Sequence, residues 1–262
     1  MTAGALPSAA AARLVALGGV PLVRAGDDLA PIVLAALAHS GETLADGDVL
    51  VLTQKIFSKA ENRIVPLTTV VPSARAEALA REVNKDARLV ELILSESNDV
   101  VRAKRDLLIV EHRLGFVSAN AGADLSNIEH ASDDDAVALL PVDPEGSCAR
   151  LRAALETRTG VRIAVIMNDS HGRAFRYGVV GVAIGVSGIG ALTDMRGVPD
   201  LFGRKLRYTE VAVADELAAA ASLLMGQADE GRPIVLARGF ALPRREGSAR
   251  ELLRPKQQDV FR

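Results

Sequence analysis

The chain has 262 residues, 49% of them hydrophobic, with 31 basic and 33 acidic side chains and a formal net charge of −2. That length and apolar content allow a sizeable core, in one large domain or two modest ones. The even charge balance, with no run of Lys and Arg interleaved with aromatics, argues against nucleic acid as a partner. The N-terminal "MTAGALPSAAAARLVALGG" lacks the basic start of an export signal, and Arg13 interrupts its apolar part. Residues 1–16 therefore read as a loose leader, and 17–262 as the working unit of a cytoplasmic protein. Gly47-Asp48 opens a strand over 48–53, "DVLVLT". Pro72-Ser73 then opens "ARAEALAREVNKDARLVELIL", where Leu79, Val83, Ala87, Val90 and Leu94 recur at steps of three and four and predict one amphipathic helix. "DLLIVEH" (106–112) predicts a second strand. A helix over 145–158 carries Cys148 as a small hydrophobe and stops at Gly160, ahead of a buried strand, "VRIAVIM" (161–167). As the sole cysteine, Cys148 has no partner for an internal disulfide. The apolar run from Val179 to Leu192 is glycine-dense and shorter than the ~20 residues a membrane-spanning helix needs, so no membrane span is expected. The glycines of 178–203 permit close backbone approach, which suits a boundary between two subdomains, layers or subunits. A helix over 210–226 and the strand "PIVLARGF" complete the pattern. Alternating signals without a repeat predict a mixed α/β (α+β) fold.

Strand ends are where chemistry is expected in such folds. The strand over 161–167 runs into "NDSHGRAFR", with Asp169 and Ser170 at its carboxyl edge, and the strand over 48–53 runs into "QKIFSK", with Lys55 and Lys59. The helix over 210–226 ends in "MGQADEG", which offers Gln227, Asp229 and Glu230. In "FVSANAGADLSN", a run of small residues precedes Asp124 and Asn127. Oxygen donors beside lysines suit a magnesium-bound nucleotide, because hard Mg²⁺ prefers oxygen ligands and lysine neutralises phosphate as a point charge. No G-x-x-x-x-G-K-[ST] loop is present, and the central glycines follow G-x-x-G-x-G rather than the dinucleotide order. A hydrolase using Ser170 with His171 and Asp169 is a competing reading. Against it, adjacent residues of an extended segment point opposite ways, and no G-x-S-x-G elbow is present.

The blocks "GVPLVRAGDDLA", "GDVLVLTQKIFSKAENRIV", "GFVSANAGADLSN", "LLPVDPEGSCARLR", "NDSHGRAFRYG", "VAIGVSGIGALTDMRGVPDLFGRKL" and "VAVADELAAAASLLMGQADEGRPIVLARG", with the ending "ELLRPKQQDVFR", resemble the coenzyme F-420-0:L-glutamate ligase (gamma-glutamyl ligase) family from about residue 17 onward. The resemblance implies an unusual mixed-sheet fold, an intertwined homodimer, and GTP-dependent amide ligation of L-glutamate to a deazaflavin coenzyme F-420 precursor. The precursor carboxylate would be phosphorylated by GTP, and the amine would then displace phosphate. It also implies two divalent ions, Mg²⁺ or Mn²⁺, and K⁺. Carried over by motif, Asp124 and Asp169 would act in catalysis and hold one metal, while Ser170 and Gln227 would serve the other. GTP would lie against Val20, Pro21, Leu22, Val23, Gln54, Lys55, Lys59, Asn127 and the segment Met225, Gly226, Gln227, Ala228, Asp229, Glu230, Gly231 and Arg232. Two departures stand out. The family usually reads D-T-F-G-R-P-W-R where this chain has Asp169-Ser170-His171-Gly172-Arg173-Ala174-Phe175-Arg176, and a usual Q-T-D is replaced by Val179-Val180-Gly181. A relative that binds GTP and metal without ligating is the alternative that the lost polar groups leave open.

Overall fold

A computed structural model describes residues 11–128 and 136–259. The chain begins with β1 (Arg13–Ala16) and α1 (Leu29–His39), the latter capped by Asp28, whose carboxylate accepts from the Ala30 N–H. β2 (Val49–Thr53) turns directly into α2 (Gln54–Ala60), and β3 (Ile64–Pro66) follows. α3 (Ala74–Val83) and α4 (Ala87–Ser95) occupy the stretch where one helix was predicted. They are two because Asn84 takes the left-handed conformation (φ 53°), its amide donating to Asp106, and because Asp86 caps a fresh helix start. The apolar steps survive the break: Ala76, Ala80, Val83, Val90 and Ile93 bury together against Leu108 and Val110. These last two belong to β5 (Leu107–His112), the centre of an antiparallel meander between β4 (Ser97–Lys104) and β6 (Val117–Ala119).

β7 (Ala136–Ala138) pairs with β3. α5 (Pro144–Thr159) has its proline in the first turn and ends at Gly160 (φ 75°), as its sequence predicts, and buries Cys148 as a free thiol. β8 (Ala164–Arg173) and β9 (Arg176–Ser187) form a long hairpin, followed by the two-residue strands β10 (Thr193–Asp194) and β11 (Glu210–Val211). α6 (Val213–Met225) and β12 (Ile234–Arg238) complete the elements that shape the site.

The main sheet has the order β1-β12-β2-β8-β9, and only β2 and β8 run parallel. Both of its faces are covered. Leu50, Leu52, Val165, Met167 and Leu236 pack beneath α1 and α5, while Val49, Val51, Ile166 and Val235 pack beneath α6. Two covered faces explain why β2 reads as an unbroken apolar run rather than an alternating one.

Two expectations change. β1 lies within the stretch read as a loose leader: residues 13–16 pair with β12 from Arg13↔Arg238 to Ala16↔Val235, and Arg13 bridges Glu42 at 2.6 Å. The first ten residues lie outside the described ones. β8 continues past 167 to Arg173, so Asp169 and Ser170 sit inside a strand rather than in a loop at its end. β9 carries much of the glycine-rich segment, and two of its glycines bring layers together. A side chain at Gly181 would meet the Ala218 carbonyl and Ser222 of α6, and one at Gly185 would meet Pro144 of α5 at 2.8 Å. Among the described residues no helix is long and apolar enough to cross a membrane.

Candidate active site

Because β2 and β8 are parallel neighbours, their carboxyl ends emerge on one edge of the sheet, where β2 becomes α2 and β8 continues into the hairpin. A cavity of about 1080 Å³ opens there. Its floor is β8 from Asn168 to Gly172. Its walls are Val20–Ala25, the start of α2, the segment 122–128, and the segment 225–233 after α6. Every position selected from the sequence lines this one cavity: Val20 to Val23, Gln54, Lys55, Lys59, Asp124, Asn127, Asp169, Ser170 and Met225 to Arg232.

Contacts between these segments hold the walls in place. Asp124 is fixed by backbone bonds to Ala138, and its carboxylate meets Lys55 Nζ at 2.8 Å. Lys55 also donates to the Ser126 carbonyl and hydroxyl, and the Ser126 N–H donates to Asp124. Burial raises the Asp124 carboxyl, but the bonds from Lys55 and Ser126 outweigh it and leave its pKa below the ordinary carboxylate value, so the group is anionic at neutral pH. Asn127 donates to the Ala228 carbonyl at 2.8 Å, tying the segment around Asp124 to the one after α6. That latter segment curls around its own anion: Ala228 N–H donates to Glu230, and Gly226 (φ 76°) lies so close to the Glu230 carboxylate that a side chain would overlap it.

Alternation along β8 sends neighbouring side chains to different partners. Ser170 donates to Gln227 Oε1 at 3.0 Å, while His171 meets Asp169 Oδ2 at 2.9 Å. Ser170 and His171 thus form no nucleophile and base pair, and the hydrolase geometry is not made. Among the described residues no three His, Cys, Asp or Glu side chains form a metal cage. The oxygen donors lining the cavity include the Asp124 and Asp169 carboxyl groups, the Ser170 hydroxyl and the Gln227 amide oxygen, a set that fits Mg²⁺ or Mn²⁺. Two cavity-lining residues not picked out from the sequence, Ser118 and Asn168, have buried side-chain oxygens without a hydrogen-bond partner. Asn168 had one signal, an amide at the end of an apolar run; Ser118 had none.

A model of the family described as F420-0:Gamma-glutamyl ligase matches residues 19–239. The chain belongs to this gamma-glutamyl ligase family. Among its relatives, a protein of Methanothermobacter thermautotrophicus named "Coenzyme F420:L-glutamate ligase" is 49% identical over 251 residues, covering 95% of this chain and 98% of that protein. Proteins of the same name from Methanopyrus kandleri and Methanocaldococcus jannaschii are 47% and 45% identical, covering 93% and 84% of this chain and 96% and 86% of their own lengths. The gamma-glutamyl ligase match takes in every wall of the cavity, from Val20 to Arg232.

Proposed function

We propose that the protein is a coenzyme F-420-0:L-glutamate ligase that uses GTP to join L-glutamate to a deazaflavin precursor. The observation that carries this is the convergence, in one cavity, of residues from segments more than two hundred positions apart in the chain, with anionic Asp124 and the Asp169 carboxyl group lining it together with Lys55 and Lys59. The relatives' name, coenzyme F420:L-glutamate ligase, supports the coenzyme and L-glutamate as the pair to be joined. In the proposed reaction the precursor carboxylate takes the γ-phosphoryl of GTP, giving an acyl phosphate and GDP. The glutamate amine then attacks the acyl carbon, the C–O bond to phosphate breaks, and the nitrogen loses a proton.

Phosphoryl transfer requires mainly positioning and charge neutralisation, and the chain's groups suit both. Lys55 and Lys59 are point charges for phosphate oxygens, and Asn127 and the backbone of 225–232 give the nucleotide a fixed wall. Asp124 and Asp169 would hold one divalent ion and Ser170 with Gln227 a second, K⁺ accompanying them. When bound, Mg²⁺ or Mn²⁺ offsets charge on the phosphoryl oxygens. A homodimer belongs to the same proposal: Phe175, Tyr177, Leu201, Phe202 and Tyr208 all stand at least 87% exposed, more large apolar surface than water usually meets. Light scattering at micromolar concentration checks it, and a monomer throughout would refute it.

The test of the function is GDP release with Mn²⁺ as each of precursor, L-glutamate and metal is omitted in turn, together with the product mass. Ligation predicts GDP only with precursor present and an added glutamyl mass. Equal GDP without precursor would mark a GTPase that does not ligate, and another added mass would show a different amine.

A further inference from the structure

We propose that His171 is a positioning residue that holds the Asp169 carboxylate in one orientation, and that Phe116 fixes His171 for that task. The inference rests on the ligase reading, in which Asp169 takes a metal ion. His171 Nε2 lies 2.9 Å from Asp169 Oδ2, within hydrogen-bond distance, and in the proposed role its N–H donates to that oxygen. That occupies one carboxylate oxygen and would leave the other for a cation. Both side chains are largely enclosed, 11% and 13% exposed, so water competes poorly for the bond.

The imidazole is held from behind. Its centroid lies 5.0 Å from the Phe116 ring at a tilt of 48°, and Phe116 stacks at 5.0 Å and 8° on His112. His112 is 2% exposed and is itself anchored. Its Nδ1 accepts from the Leu114 N–H at 2.9 Å, and the His112 backbone N–H donates to the Phe116 carbonyl at 2.8 Å, closing the turn between β5 and β6. Three rings therefore run from the meander to Asp169, and the same β6 leads on to the segment bearing Asp124. The family pattern usually has phenylalanine at 171, a ring without an N–H. This chain keeps the ring and adds a donor.

The experiment measures Mn²⁺ bound to the purified protein, by the electron paramagnetic resonance of the free ion, together with the KM for Mn²⁺ and kcat in ligation. His171→Phe keeps the ring packing and removes the donor. Its Mn²⁺ affinity should fall by about tenfold to a hundredfold, the usual effect of losing such an orienting bond, with KM for Mn²⁺ rising and kcat at saturating metal little changed. His171→Gln keeps an N–H and should restore binding to within about threefold of the parent, on the same scale. Parental binding by His171→Phe would overturn the proposal, as would a His171→Gln as weak as His171→Phe, which would leave ring packing as the whole effect. Asp169→Asn separates the levels. If it is weakened while His171→Phe is parental, the positioning role alone fails; if it binds Mn²⁺ like the parent, the metal reading of the site fails and the positioning role with it.

Discussion

Gly181→Ala should loosen the joint between β9 and α6. The added methyl would sit 2.6 Å from Asn168 Oδ1, where ordinary contact needs 3.4 Å or more, and closer still to the Ala218 carbonyl and the Ser222 hydroxyl. None of the three yields easily. The carbonyl belongs to the helix backbone, and Asn168 donates to Ser222 at 3.1 Å, so the methyl must part that pair or push α6 away. Overpacking of this kind costs ~1–3 kcal/mol, and the lost hydrogen bond adds about 1 kcal/mol. For a chain of this size the total lowers Tm by roughly 4–12 °C. Because α6 leads into the cavity wall after Met225, ligation should fall even at temperatures where the variant stays folded. Scanning calorimetry of Gly181→Ala beside Gly172→Ala is the assay. Gly172 lies in the same hairpin, has nothing within 4 Å of its missing side chain, and does not need a left-handed backbone, so its alanine variant should stay within about 2 °C of the parent. Equal melting of the two variants would refute the packing argument.

Lys55→Gln should change stability by less than about 1 kcal/mol, because its ion pair with Asp124 is partly exposed, yet lower ligation by ~10²–10³-fold; a parental rate would remove Lys55 from the site. Burial, opposed by Glu96, depresses His112 from an ordinary 6.5 to about 4, so the unfolded chain takes up that proton first. Stability should therefore be full above pH 6.5 and lose ~3 kcal/mol as the pH falls to about 4, while His112→Phe should lose that part of the slope in denaturant titrations. Persistence of the full slope in the variant would show that another group drives it. Arg238→Met would strand Asp48, 1% exposed and bonded by Arg238 at 2.6 and 2.7 Å, and should cost ~3 kcal/mol in the same titrations; a loss under about 1 kcal/mol would mean that the remaining bond from the Ala45 N–H suffices.

Much of the fold was legible because its buried elements announce themselves locally. β2 is apolar on both faces, α5 carries its proline and its glycine stop, and α6 is one long small-residue helix. What escaped depended on partners remote in the chain. β1 is four residues in an alanine-rich stretch, and only β12, more than two hundred residues later, makes it a strand. The break between α3 and α4 depends on the left-handed turn at Asn84 and the cap at Asp86, neither of which the apolar periodicity registers. The extension of β8 through polar Asp169, Ser170 and His171 is enforced by pairing with β9 rather than by hydrophobic burial. At the cavity, the residues selected as metal or nucleotide ligands all arrive on its lining, whereas Arg173 to Arg176 of the same family stretch do not. Phe116 was invisible as a neighbour of His171, since nothing in "RLGFVS" says which strand its ring will face.

The place of β12 has a consequence for how the protein is made. The last strand of the sheet fits between the first and the second, with Val235 opposite both Ala16 and Val51. Until the ribosome has passed Arg238, β1 and β2 have a slot between them that only β12 fills in the described structure. Each then carries an unpaired backbone edge flanked by apolar side chains, the arrangement most prone to capture by another chain. Closure must wait until residue 238 clears the exit tunnel. A stop codon anywhere before Ile234 should yield an insoluble product rather than a shortened enzyme.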